Sequence, residues 1–464
     1  LHSFPTRRSS DLKGIVTEKN ISRCGIDVIV DVNAHRIGNF CGKPVEFPQF
    51  LCGKKIDCII IGSLKYQQDI KYKINQYSID AKKIVFIDEF IDGLIRKESR
   101  ELLDEIITNK SPVKVVEYGG QPWWFKVQEA KINKLLSIQS RCDSLEDLFN
   151  TDLPVLISTN EMFMKIWPIC DNALISLDIL LLEYEKNIVE GIVGKEKETR
   201  GTSVADSSVF PLYCKAAVKS DELFNDFRRS YIFSKTVGAA TREFGQRALD
   251  EIMKNEPFFG ESDWQIFLEN DLCGSPLKYE YKIGNKAEYV EPNTFAYVLQ
   301  LKEILKHMKG LYEEGKIKNI SEIGIGYGGL CRILCSYLSI SNYYLIDLPE
   351  VIKLGEKYLN KYNLNCNVVC INGLSDFEYI ETDLLISNYA FSELGRNSQE
   401  KYFEKVIKKA KAGFMIWNRC SEYVENLKGM SLEEFLERIP NYKVYGNSII
   451  GDNSRFIVWS NHII

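Results

Sequence analysis

"NISEIGIGYGGLCRILCSYL", residues 319–338, decides how this chain folds. A short apolar run leads into Gly324, Gly326, Gly328 and Gly329, after which LCRILCSYL takes up helical spacing. Glycine is needed at such a strand-to-helix turn because the turn requires φ values that other residues avoid, and because backbone N–H groups must come close to a ligand. The stretch therefore predicts a nucleotide-cofactor loop that opens a helix. Gly324, Gly326 and Gly329 also satisfy the G-x-G-x-x-G dinucleotide pattern, so the glycines alone leave the cofactor open.

The segments downstream extend the reading. NYYLIDL (342–348) is a second strand ending at Asp347, 19 residues past Gly328, where a carboxylate can accept ribose hydroxyls. CNVVCING (366–373) is a third strand, and the loop after it makes Ser375 and Asp376 candidates for adenine contacts, the alternative being a plain loop. TDLLISNYAFSEL (382–394) gives a fourth strand, a polar loop and a helix, and AGFMIWN (412–418) a fifth strand. In open α/β sheets ligands sit beyond the carboxyl ends of the strands, so Gly324 and Asn388 face one crevice. The last twenty residues of the pattern, 441–460, are two extended runs around Gly-Asp-Asn and read as an antiparallel hairpin.

Glu322 lies two residues before the first glycine and gives E-x-G-x-G-x-G. That acidic position and the terminal hairpin are expected of class I methyltransferases and not of dehydrogenases, which points to S-adenosylmethionine. The cofactor-binding candidates are Glu322, Gly324, Gly326, Tyr327, Gly328, Asp347, Leu348, Ser375, Asp376 and Asn388. The expected fold class is α/β: a C-terminal class I methyltransferase (Rossmann-like) domain over 307–464, a mainly helical region over 95–306 serving as an acceptor-binding lid, and a truncated Rossmann-like segment over 13–94. EIGIGYGGL, YYLIDLPEV, ISNYAFSEL and WN, with GSPLKYEY (274–281) and VEPNTFAYVLQLKEIL (290–305) upstream, resemble the sugar O-methyltransferases of bacterial surface-polysaccharide loci. The resemblance runs from about Gly238 to the end. It implies methyl transfer from S-adenosylmethionine to a hydroxyl of a sugar, nucleotide sugar or glycan. Two other readings stay open: an NAD-dependent sugar-nucleotide oxidoreductase, and a non-catalytic nucleotide-binding module of a glycan-assembly complex.

A sugar hydroxyl is a poor nucleophile at neutral pH, so a general base or a metal that lowers its pKa is expected. Glu393, in the loop after the fourth strand, is the candidate base, the alternative being a cap on the next helix. Asn388, Tyr389 and Ser392 share that loop and could orient the acceptor, and Asn418 ends the neighbouring strand. His307 in LKEILKHMKG reads as a solvated helix position, His35 belongs to another segment and His462 to the tail. No carboxylate cluster demands a metal; a divalent cation stays unassigned.

The whole chain fits an ordinary globular protein. A net charge of −5 argues against general nucleic-acid binding, and no run reaches the ~18–20 apolar residues of a membrane span, so a cytoplasmic protein is expected. Thirteen scattered cysteines without zinc-like spacing read as buried reduced thiols. GIDVIVDVN, KIDCIIIGS and KKIVFID are short apolar runs suited to parallel strands, and Asp31 is placed where such folds hold a ribose. That segment resembles the small nucleotide-binding domains found beside sugar-modifying enzymes. EYGGQPWWF (117–125) could form a sugar platform or pack a core, 161–191 carries a long helical pattern broken by Pro168, and 238–255 reads as an amphipathic helix. Residues 1–12, LHSFPTRRSSDL, resemble a translated sequencing adapter and are set aside as a fusion scar, with the native start expected upstream.

Overall fold

The structure, a computed structural model, describes residues 174–195, 200, 202–238, 240–254, 258–378, 380–418, 427–446 and 454–461. Before them it describes only 29–30, 39–40, 43–46, 51, 56–61, 81–86, 102–103, 105–116, 128, 131–142 and 153–157. Residues 1–183 and 184–464 form two compact units.

In the first unit, β1 (Ile29–Val30), β2 (Asn39–Phe40) and β3 (Lys43–Glu46) make a small mixed sheet, and β4 (Ile56–Ile61) and β5 (Ala81–Phe86) pair in parallel. β6 (Pro112–Val116), β7 (Ser137–Cys142), β8 (Val155–Ile157) and β9 (Leu174–Ser176) form a parallel sheet in the order β7-β6-β8-β9. The expectation of a mainly helical region over 95–306 is therefore corrected at 112–116, 137–142, 155–157 and 174–176, which are strands, and the compact units divide after Glu183 instead of near residue 94. The physical reason lies in runs such as Leu174–Ser176: apolar periodicity cannot distinguish a short buried strand from the start of a helix, and pairing with β8 decides it. Helix α1 (Leu177–Val193) begins only after that strand. Asp31, His35 and Trp123–Trp124 lie outside the described residues, as do residues 1–12 and His462.

The second unit opens with α2 (Phe210–Lys219), α3 (Asp221–Asn225), α4 (Tyr231–Val237), α5 (Arg242–Met253) and α6 (Glu261–Leu268). Ser220, Ser230 and Thr241 cap α3, α4 and α5 by accepting first-turn N–H groups, which explains where those helices start. A hairpin, β10 (Tyr279–Ile283) and β11 (Lys286–Val290), interrupts the helices before α7 (Pro292–Glu313). The sheet then forms from β12 (Asn319–Ile323), β13 (Asn342–Asp347), β14 (Asn367–Asn372), β15 (Leu384–Asn388), β16 (Ala412–Trp417), β17 (Tyr442–Gly446) and β18 (Arg455–Ser460). Its order is β14-β13-β12-β15-β16-β18-β17; the first five strands are parallel, and β18 runs antiparallel to both neighbours. Helices α8 (Gly329–Tyr337), α9 (Pro349–Leu359), α10 (Arg396–Lys405) and α11 (Leu432–Glu437) complete it. Ile323, Leu385, Met415, Trp417, Phe435 and Trp459 share one buried core, which fixes the register of the central strands. Among the described residues no helix is long and apolar enough to cross a membrane.

Candidate functional site

The glycine loop leaves β12 and enters α8. Gly324, Gly326 and Gly328 have φ of +80°, +59° and +90°, the left-handed region that L side chains avoid. A Cβ on Gly324 would lie 1.9 Å from the Ala390 Cβ, so the loops after β12 and β15 touch only because this residue lacks a side chain. Gly328 caps α8 with no side chain bonded to the first-turn N–H groups. Asp347 ties the loop down: Oδ2 accepts from Ile325 N and Oδ1 from Leu348 N, both at 2.7 Å. Burial pushes its carboxyl up to about 6 against those two bonds. Each oxygen still has acceptor capacity to spare.

At the end of β15, Asn388 Nδ2 donates to Gln300 Oε1 of α7 at 3.0 Å, while Asn388 Oδ1 is buried with no partner. Tyr389 follows with φ of +67°, unusual for an aromatic residue, and is held there by its N–H donating to Ile416 O at 2.8 Å. The turn brings three polar side chains together. Asn418 Nδ2 donates to Glu393 Oε1 at 2.6 Å, and Ser392 Oγ lies 2.9 Å from Asn418 Oδ1. Burial raises the Glu393 carboxyl above the usual range, and the Asn418 bond pulls it partly back. Chemically the loop offers one desolvated carboxyl among uncharged donors and acceptors.

Other expected site residues are placed differently. Glu322 is buried beside Tyr343, whose hydroxyl donates to Oε2 at 2.9 Å, and burial pushes its carboxyl up to about 8. The Tyr327 side chain turns into the helical layer, where its hydroxyl accepts from Asn270 Nδ2 at 3.1 Å and Arg228 lies over its ring. Only its backbone is left to the loop. Leu348 is buried as the N-cap of α9. Ser375 Oγ donates to Asn372 O within its own turn, and Asp376 is exposed and paired with Lys405 at 3.4 Å, so neither joins the cluster. His307 is not solvated: its ring packs on Tyr445, centroids 4.8 Å apart, with Glu303 at 3.3 Å. Gln300 was the residue missed, an amide on the buried face of α7 between Leu299 and Leu301. Among the described residues no group of three or more His, Cys, Asp or Glu could hold a metal ion.

The sheet order, with an antiparallel β18 set between β16 and β17 and a glycine loop after the central β12, defines the Rossmann-like fold of class I methyltransferases. No family model matches the chain. It is similar to the polyamine aminopropyltransferase of Buchnera aphidicola subsp. Schizaphis graminum, 28% identical over 132 residues, or 26% of this chain and 43% of that protein. The chain thus spans less than half the length of that curated relative. Similar solved structures include the methyltransferase domain of bacterial CtHen1 at 13% identity, covering 35% of this chain and 99% of that one with a TM-score of 0.27. Another is an O-methyltransferase family protein from Burkholderia thailandensis at 9% identity, covering 37% and 61% with a TM-score of 0.25. The fold assignment rests on the sheet order and the loop.

Proposed function

We propose that the chain is an S-adenosylmethionine-dependent O-methyltransferase that methylates a sugar hydroxyl. The observation that carries this reading is the desolvated Glu393 carboxyl, held by Asn418, on the β15 loop that also carries the unpartnered Asn388 Oδ1 and meets the glycine loop at Ala390. The residues fit the cofactor: Asn388 Oδ1 lacks a donor, and the Asp347 oxygens have acceptor capacity left after their two backbone bonds. Asp347 would hold ribose hydroxyls, the backbone of Gly324–Gly328 and the start of α8 would hold the methionine end with Asn388, and the 372–376 turn would border the adenine. Bound there, S-adenosylmethionine supplies a methyl group on a positively charged sulfur.

The chain's own residues then have three tasks. The β15 loop would align the acceptor oxygen, its packing would exclude water, and a Glu393 oxygen would take the hydroxyl proton as that oxygen gains the methyl group and the methyl–sulfur bond breaks. A raised pKa suits that role, because a carboxylate of ordinary acidity is a weak base toward a hydroxyl. Ser392, Asn418, Asn388 and Gln300 are uncharged hydrogen-bonding groups, which match a polyol. A polyamine acceptor of the kind named for the Buchnera protein is cationic and would favour several carboxylates; this loop has one. The test is turnover of radiolabelled S-adenosylmethionine against nucleotide sugars, free sugars and polyamines. Label transfer to a sugar that is lost in Glu393→Gln supports the reading. Transfer to no sugar, together with tight NAD binding or with cofactor binding alone, favours the oxidoreductase or the non-catalytic module.

A further inference from the structure

Arg200 and Thr202–Asp206 join the two halves of this site. Asp206, 3% exposed, accepts from Thr202 N at 3.2 Å and from Thr202 Oγ1 at 2.9 Å, and its N–H donates to Ser203 Oγ at 3.0 Å. The segment is thereby closed into a turn. Its backbone pairs with the loop that carries the proposed base: Gly395 N donates to Thr202 O at 2.8 Å, Val204 N donates to Glu393 O at 3.1 Å, and Ser203 and Leu394 form an antiparallel bridge. Beside this turn, the Arg200 guanidinium forks onto the Glu350 carboxylate, Nη1 to Oε2 at 3.2 Å and Nη2 to Oε1, with Asp206 Oδ1 3.7 Å from Nη1. Glu350 stands in the first turn of α9, three residues after Asp347. In the sheet β13 and β15 flank β12, so these contacts reach from one side of the glycine loop to the other.

We propose that Arg200 and Asp206 are positioning residues that couple occupancy of the cofactor site to the ordering of the Glu393 loop, an inference that rests on the cofactor reading above. A ligand held by Asp347 steadies the start of α9. The bidentate Arg200–Glu350 fork passes that restraint to the turn, and the two backbone hydrogen bonds pass it to Glu393 and Gly395. The coupling is reciprocal, so an acceptor on the Glu393 loop tightens the cofactor by the same factor and the acceptor site is best formed once the cofactor is bound.

Amide hydrogen exchange on the full chain, with and without S-adenosylhomocysteine, tests this, with calorimetry run in parallel to record binding. In the unsubstituted protein the ligand should slow exchange at Val204 and Gly395 about five- to tenfold. Arg200→Gln, at a partly exposed position, should still bind S-adenosylhomocysteine yet lose that slowing, and Glu350→Gln should lose it from the other side. Binding heat without slowing, or slowing that survives in both variants, overturns the coupling alone. Absence of binding heat in the unsubstituted protein overturns the cofactor reading and the coupling together.

Discussion

Gly324 is the residue at which the loops after β12 and β15 meet most closely. Alanine there would collide with Ala390 and occupy an unfavourable φ of +80°, so Gly324→Ala should cost more than ~2 kcal/mol and abolish S-adenosylhomocysteine binding, as read by denaturant melts and calorimetry. Glu322 makes a pH prediction. Below the ordinary carboxylate range both folded and unfolded chains hold its proton; from there up to about 8 the folded chain retains a proton that the unfolded chain releases. Its contribution to stability is therefore present at low pH and is lost as pH rises through about 8. Asp347, raised to about 6, acts in the same direction over a lower window. Glu322→Gln, which keeps an acceptor for Tyr343, should flatten the decline between pH 5 and 8 in chemical denaturation. Glu393→Gln should lower kcat about 10²- to 10⁴-fold while leaving S-adenosylhomocysteine affinity unchanged. The unsubstituted enzyme should lose activity as pH falls through the raised Glu393 pKa, because only the carboxylate accepts a proton. The glycines, Asp347 and Glu393 were legible in sequence because each follows a strand at fixed spacing. Gln300 and Asp206 were not, since their partners lie 88 residues away or within a turn that has no periodic signal.

Among the elements, the layer behind the glycine loop carries a buried polar network. Arg228 donates to Glu291 Oε2 at 2.7 Å and Asp271 Oδ1 at 3.2 Å, Thr294 Oγ1 donates to Asp271 Oδ1 at 2.8 Å, and Asn270 links this group to Tyr327 and Tyr358. Burial pushes the Glu291 carboxyl above the usual carboxylate range even beside Arg228. The network anchors the Tyr327 side chain and so braces the loop from behind. Arg228→Met would strand two buried carboxyls, and a loss of about 3–5 kcal/mol is expected in urea melts. Sequence periodicity found α5 and every strand from β12 to β18 because those runs end at glycines, asparagines or prolines. It took 95–306 as mainly helical, because the short apolar runs of β6 to β9 carry no period of their own, and it missed the β10–β11 hairpin: Tyr281 and Ile283 alternate with exposed Glu280 and Lys282 in β10, but in β11 Lys286 and Ala287 are exposed side by side and break the pattern.

Across the molecule, two features of the C-terminal sheet were legible: the neighbouring strands that end before Gly324 and at Asn388, and the terminal antiparallel hairpin; the full strand order was not. The division after Glu183 was not, because helix α1 runs through it without a glycine- or proline-rich linker. Every functional step proposed here depends on the glycine loop and Asp347 of the second unit binding S-adenosylmethionine. Calorimetric titration of the full chain with S-adenosylhomocysteine, beside Asp347→Ala and an NAD control, tests it most directly. Micromolar binding to the unsubstituted chain is expected, with loss of that heat in a variant that still melts cooperatively and no heat with NAD. No binding of S-adenosylhomocysteine, or NAD binding that depends on Asp347, would contradict it.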